Sequence, residues 1–132
     1  MFFPERTATV PKQVQDRRED GRKRIPGFVG AVIAFNGPDG TAHRFPIIEL
    51  SVGGGSFELP ARIRGLEAGA PCSGGTICVG EIEIKVNLEI RHVTRGEGTL
   101  YECGAQIFPA TDEDRNEMAA LIARLQRYLQ MV

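Results

Sequence analysis

The chain of 132 residues has no tryptophan, only two tyrosines, two histidines and three cysteines. Cys72, Cys78 and Cys103 are odd in number and show no CxxC spacing, and with only His43 and His92 beside them a four-ligand structural zinc site lacks material. The cysteines read instead as small buried hydrophobes of a reducing compartment, and no metal or cofactor is expected. Long apolar runs are absent as well, so nothing has the length needed to span a bilayer. The opening MFFPERTATV carries neither the basic leader nor the apolar segment of a signal peptide, which makes a cytoplasmic protein the expectation. Net charge is nearly missing: 16 Lys and Arg against 17 Asp and Glu leave −1, so no global field draws the chain to nucleic acid or an anionic membrane. Ser51, Ser56 and Ser73 stand in no nucleophile-elbow pattern and the histidines have no partner order, so an enzyme is not expected.

What is present is the material of one soluble domain, with 42% hydrophobic and 25% charged residues. Residues 1–25 contain Pro4 and Pro11 and no helical or strand period, and read as a flexible arm before a folded unit at 26–132. GFVGAVIAFN (27–36) is rich in β-branched and aromatic residues and ends in the turn signal NGPDG. TAHRFPIIELS (41–51) returns as a second strand, in which Pro46 calls for an edge or a bulge. SFELP reads as a short third strand, residues 60–75 as a loop, and TICV as another short strand. The strongest signal is EIEIKVNLEIRHV: Ile82, Ile84, Val86, Leu88 and Ile90 alternate with polar residues, and His92 continues the buried face as a core or rim residue. RGEG turns the chain into TLYECGAQIF, which alternates likewise. Five or six short antiparallel strands result, whose edges are best removed by closure into a barrel. A helix over 112–130 follows, with Thr111 as N-cap, acids in its first turn, and a packing stripe of Met118, Leu121, Ile122, Leu125 and Leu129.

Charge is concentrated locally. From Lys12 to Arg24 six basic residues (Lys12, Arg17, Arg18, Arg22, Lys23, Arg24) stand against Asp16, Glu19 and Asp20, a local excess of 6 − 3 = +3. Alone, RREDGR (17–22) is a solvated run or a nonspecific nucleic-acid contact, and without interleaved aromatics it offers no stacking platform for single strands. The second stretch, IELSVGGGSF (48–57), runs a strand into three glycines. It lacks the GK[ST] and following helix of a phosphate loop, so alone it is a bulge or tight turn.

Together the two stretches are far more specific. An RxxxR pair in Arg18 and Arg22, followed one strand pair later by acid-x-Ser-x-x-Gly in Glu49, Ser51 and Gly54, and then by the GAQIF strand and an acidic helix start, resembles the PilZ domain family from about Arg17 to the helix. The resemblance implies an all-β-dominated fold, a six-stranded antiparallel PilZ-type β-barrel with a C-terminal α-helix. It also implies a receptor for the bacterial messenger cyclic di-GMP, with Arg17, Arg18, Arg22, Glu49, Ser51, Gly53 and Gly54 as ligand-binding residues. An effector protein in motility, adhesion or exopolysaccharide control is implied as the partner, since a lone receptor domain has no output of its own. The family has Asp or Asn where this chain has Glu49. Two other readings stay open beside the receptor: a ligand-independent interaction adaptor of the same fold, and a weak nucleic-acid binder.

Overall fold

The computed structural model describes residues 23–25, 30–96, 98 and 100–131. Seven strands and one helix follow in order: β1 (Lys23–Arg24), β2 (Val32–Asn36), β3 (Ala42–Leu50), β4 (Gly54–Leu59), β5 (Pro71–Val79), β6 (Ile82–Arg95), β7 (Tyr101–Pro109) and α1 (Asp112–Met131). All pairings are antiparallel. The sheet runs β1-β3-β2-β5-β6-β7-β4, and β3 also pairs with β4, so the six strands β2 to β7 close into a barrel. β1 is the extra piece, set beside the far end of β3.

The barrel interior is filled by the inward residues of every strand. Phe35, Phe45 and Phe57 meet at centroid distances of 5.4 to 6.1 Å, with Phe45 and Phe57 stacked at 4°. Ile33, Leu50, Leu59, Ile77, Ile84 and Ile90 complete the packing at 0–1% exposure. Cys72 and Cys103 belong to this core and Cys78 is half-buried; all three are free thiols. Burial, with Cys72 nearby adding to it, pushes the Cys103 thiol up to about 12.

Pro46 occupies a strand interior without breaking the ladder. The N–H of Ile47 donates to the Ala31 carbonyl at 3.0 Å, so the imino nitrogen of Pro46 points to the opposite edge. There the pairing with β4 begins only at Ile47, and a register shift follows between Ile47 and Glu49.

Two expectations need correction. β5 begins at Pro71, not at the TICV stretch, so the end of the expected 60–75 loop is strand. Gly74 and Gly75 sit at a bulge between Cys72 and Gly75, where a Cβ on Gly75 would lie 2.9 Å from the Val86 carbonyl oxygen and Gly74 takes φ 63°. His92 does not continue the buried face. The register of β6 on β7 shifts between Ile90 and His92, and the extra residue returns Val93 to the core side and leaves His92 exposed on the outer one.

The helix begins as its sequence predicts. Thr111 Oγ1 accepts from the Asp114 N–H at 3.1 Å and donates to Asp114 Oδ2 at 2.7 Å, while Asp114 Oδ1 accepts from the Lys85 N–H at 3.0 Å. These bonds to Thr111 and then Lys85 hold the Asp114 carboxyl below its ordinary value. Met118, Leu121, Ile122 and Leu125 are buried as α1 lies against β6, β7 and β1; the side chain of Leu129 is outside the described set. No described helix is long and apolar enough to cross a membrane.

Candidate functional site

The stretch 48–57 is the β3–β4 hairpin. Ile47 faces Phe57 and Glu49 faces Ser56, so two steps on β3 answer one on β4 and Ile48 is the bulged residue. With Ile47 and Leu50 in the core, Ile48 and Glu49 are both left on the outer side of the barrel. Glu49 is only 4% exposed there, so its carboxylate sits recessed among its neighbours.

Ser51 closes the hairpin. Its N–H donates to the Gly54 carbonyl at 2.8 Å, its hydroxyl donates to the same carbonyl at 3.0 Å, and the hydroxyl oxygen accepts from the Gly54 N–H at 3.2 Å. The side chain has no exposed surface, and its single proton is committed inside the turn. Gly53 is held from the other side, its carbonyl accepting from the Ile107 N–H at 3.1 Å. Two of the glycines differ in what they are for. A Cβ on Gly55 would lie 2.7 Å from the Glu49 carbonyl oxygen, so the close approach of β3 and β4 requires that glycine. Gly53 has no left-handed φ and nothing within 4 Å of where its Cβ would be, so the fold itself does not demand a glycine there.

β1 brings the N-terminal side of the chain to this hairpin. Lys23 pairs with Leu50 and Arg24 with Glu49, and the N–H of Ile25 donates to the Ile48 carbonyl at 2.7 Å. Ile25 is anchored in the core. β1 thus lies on the same edge of β3 that β2 uses further back, where Val32 pairs with Pro46. Arg17, Arg18 and Arg22 lie outside the described residues; Glu49, Ser51, Gly53 and Gly54 lie inside them and are brought together at the hairpin.

A groove of about 560 Å³ opens beside it, lined by Ile48, Glu58, Arg95, Gly96, Leu100, Tyr101 and Glu102. That volume is in the range of small-molecule sites. Two guanidinium groups, of Arg62 and Arg95, approach the Tyr101 ring, each 5.5 Å from its centroid. Glu58 and Glu102 stand directly opposite each other across β4 and β7 and give the groove an acidic floor. Sequence reasoning missed this groove. Its residues come from β3, β4, β6, β7 and the turn after β6, and no local pattern links them. Among the described residues no group of three or more His, Cys, Asp or Glu could hold a metal ion. The arrangement is equipped for recognition: a recessed carboxylate, a rigid hairpin tip and a neighbouring groove.

A closed antiparallel barrel of six strands with a C-terminal helix is the fold of solved PilZ-domain structures. No protein-family model and no curated protein sequence matches the chain. Solved structures do match it. The complex of K. pneumonia MrkH with c-di-GMP superposes with a TM-score of 0.77 at 18% identity, covering 88% of this chain and 55% of MrkH. The PilZ domain of Escherichia coli YcgR with c-di-GMP gives 0.73 at 15% identity, covering 88% of this chain and 96% of that domain. This chain therefore spans about half the length of MrkH and nearly all of the isolated YcgR domain.

Proposed function

We propose that the chain is a cytosolic cyclic di-GMP receptor in which Arg18 and Arg22 clamp the ligand against the hairpin carrying Glu49, Gly53 and Gly54. The observation that carries this reading is the Lys23–Leu50 pairing, which fixes the chain directly after Arg22 beside the hairpin. Arg18 stands five residues before Lys23, a reach of at most about 18 Å, so the two motifs can meet on one small ligand.

The chemistry fits. Each guanine shows two acceptors, O6 and N7, on its Hoogsteen edge, which an arginine fork meets with two parallel bonds. The same group pairs with the ligand's phosphates and stacks on its bases. Guanine's opposite edge offers N–H donors, which the Glu49 carboxylate accepts. Gly53 leaves open space for the ligand's approach, and Ser51 acts by holding the turn that presents it. The solved neighbours that carry c-di-GMP on this fold support the ligand's identity. The receptor does no chemistry of its own, and its bound form signals to a partner protein in motility, adhesion or exopolysaccharide control.

Titration calorimetry with cyclic di-GMP, with cyclic di-AMP and a short RNA as controls, tests this. Arg18→Ala and Arg22→Ala should each weaken binding by about 2–4 kcal/mol, since each loses charge-assisted bonds. Wild-type affinity in both variants would show that the clamp is wrong. No binding of any nucleotide by the wild type would favour the ligand-independent adaptor that the Glu49 replacement suggests.

A further inference from the structure

Three pairings place four residues of the outer face in one row. Glu49 faces Ser56 across β3 and β4, Ser56 faces Gly104 across β4 and β7, and Gly104 faces His92 across β7 and β6. Their sequence neighbours Phe57, Cys103 and Val93 pack in or against the core, which turns Ser56, Gly104 and His92 outward. At the usual strand spacing the row is about 14 Å long.

Two features of this row have no use within the fold. The Ser56 hydroxyl is 1% exposed and has no hydrogen-bond partner. Buried hydroxyls are normally paired, so this one lacks the oxygen or donor that would complete it. The His92 ring lies across Gly104: a Cβ there would collide with Nε2 and would sit 2.7 Å from Cε1 and 2.9 Å from Cδ2. The bare glycine leaves room for the exposed imidazole to reach over β7 at the position that pairs with Ser56. The adjoining Arg91 donates to Gln106 Oε1 at 3.1 Å, with Glu89 at 3.8 Å.

We infer that the ligand surface extends from Glu49 across β4 and β7 to His92, with the Ser56 hydroxyl and the His92 imidazole as two further contacts for the same anionic purine dinucleotide. Resting on the cyclic di-GMP reading above, this assigns each group a partner by chemistry. Ser56 bonds a phosphate or ribose oxygen, and His92 presents a flat face to a purine and an N–H to a phosphate. The adjacent groove, from Glu58 and Glu102 to Tyr101, takes the part of the ligand that overhangs the row.

Calorimetry with cyclic di-GMP on wild type, Ser56→Ala and His92→Ala, with thermal unfolding of each, tests it. Both variants should bind about tenfold more weakly. Ser56→Ala should melt at the same or a higher temperature, because it deletes a group the free protein leaves unpaired, whereas a structural serine would lower the melting point and leave affinity alone. His92 is exposed, so its truncation should leave unfolding unchanged. A binding wild type with both variants at wild-type affinity overturns the extended row and spares the hairpin reading. A wild type that does not bind overturns both.

Discussion

Replacing Ser51 with alanine separates what the hairpin contributes to the fold from what it contributes to binding. The substitution removes one fully buried hydroxyl that both donates to and accepts from Gly54, at 3.0 and 3.2 Å. The Gly54 carbonyl keeps the Ser51 N–H at 2.8 Å, so the main loss is the acceptor of the Gly54 N–H. A buried donor left without its partner costs about 1–3 kcal/mol. We therefore expect a loss of about 2 kcal/mol. For a chain of 132 residues each kcal/mol moves the midpoint by roughly 3–5 °C, so Tm should fall by roughly 6–10 °C. Urea unfolding should show the same loss as a midpoint lowered by about 1 M at unchanged slope. Affinity for cyclic di-GMP should fall about tenfold too, because the turn fixes where Glu49 and Gly53 stand. An unchanged urea midpoint would refute the claim that the hydroxyl holds the turn. A lowered midpoint with unchanged affinity would confine Ser51 to the fold.

Other substitutions probe the remaining groups. Glu49→Asp, which shortens the side chain by one carbon and leaves one torsion fewer to freeze, should bind cyclic di-GMP about tenfold more tightly in calorimetry, and Glu49→Ala more weakly; weaker binding by the aspartate variant would mean the site is shaped around glutamate. Only half-buried Cys78 should react promptly with a disulfide thiol reagent in the native state, and all three cysteines only in denaturant, because burial raises both the Cys72 and Cys103 thiols. Rapid native labelling of Cys103 would contradict its place in the core. The Asp114 carboxyl is held below the ordinary aspartate value, so its contribution is complete above that ordinary value and is lost as pH falls through the lower folded one. Acid unfolding of Asp114→Asn should accordingly be shallower below about pH 4, and a slope equal to wild type would sink the assignment.

The parts of this fold that were legible in the sequence are those governed by local periodicity. Ile82 to Ile90 alternate in the chain and in the barrel, and Thr111 caps the helix it announces. The exact positions of the bulges were not legible. An extra residue beside Ile90 turns His92 to the opposite face with no unusual residue to mark it, and Pro46, which called for an edge or a bulge, does not say that Ile48 is the extra residue that sets Glu49 outward. Gly74 and Gly75 misled because glycine serves a bulge and a loop by the same freedom. At the site, Glu49, Ser51 and Gly54 are singled out by their resemblance, together with Arg18 and Arg22, to the PilZ motif pair. That Ser51 spends its hydroxyl on Gly54 was not legible, because the acceptor is backbone and backbone leaves no trace in composition. The docking of Lys23 and Arg24 on β3 was hidden for a related reason: a charged dipeptide pairs through its peptide groups, whatever its side chains suggest.

The pairing of β3 with β4 is also the thinnest seam of the barrel, with register partners only at Ile47–Phe57, Glu49–Ser56 and Leu50–Gly55. A closed barrel has no free strand margins around its circumference, and closure is what keeps neighbouring molecules from zipping together. If this seam parts, two margins are bared at once on a chain otherwise protected from self-association. Damage at the hairpin should therefore surface first as insoluble protein, before any loss of recognition can be scored. Sequence drift in this segment is then policed by solubility as well as by ligand, and a variant library selected on solubility alone should still keep Ser51 and Gly55.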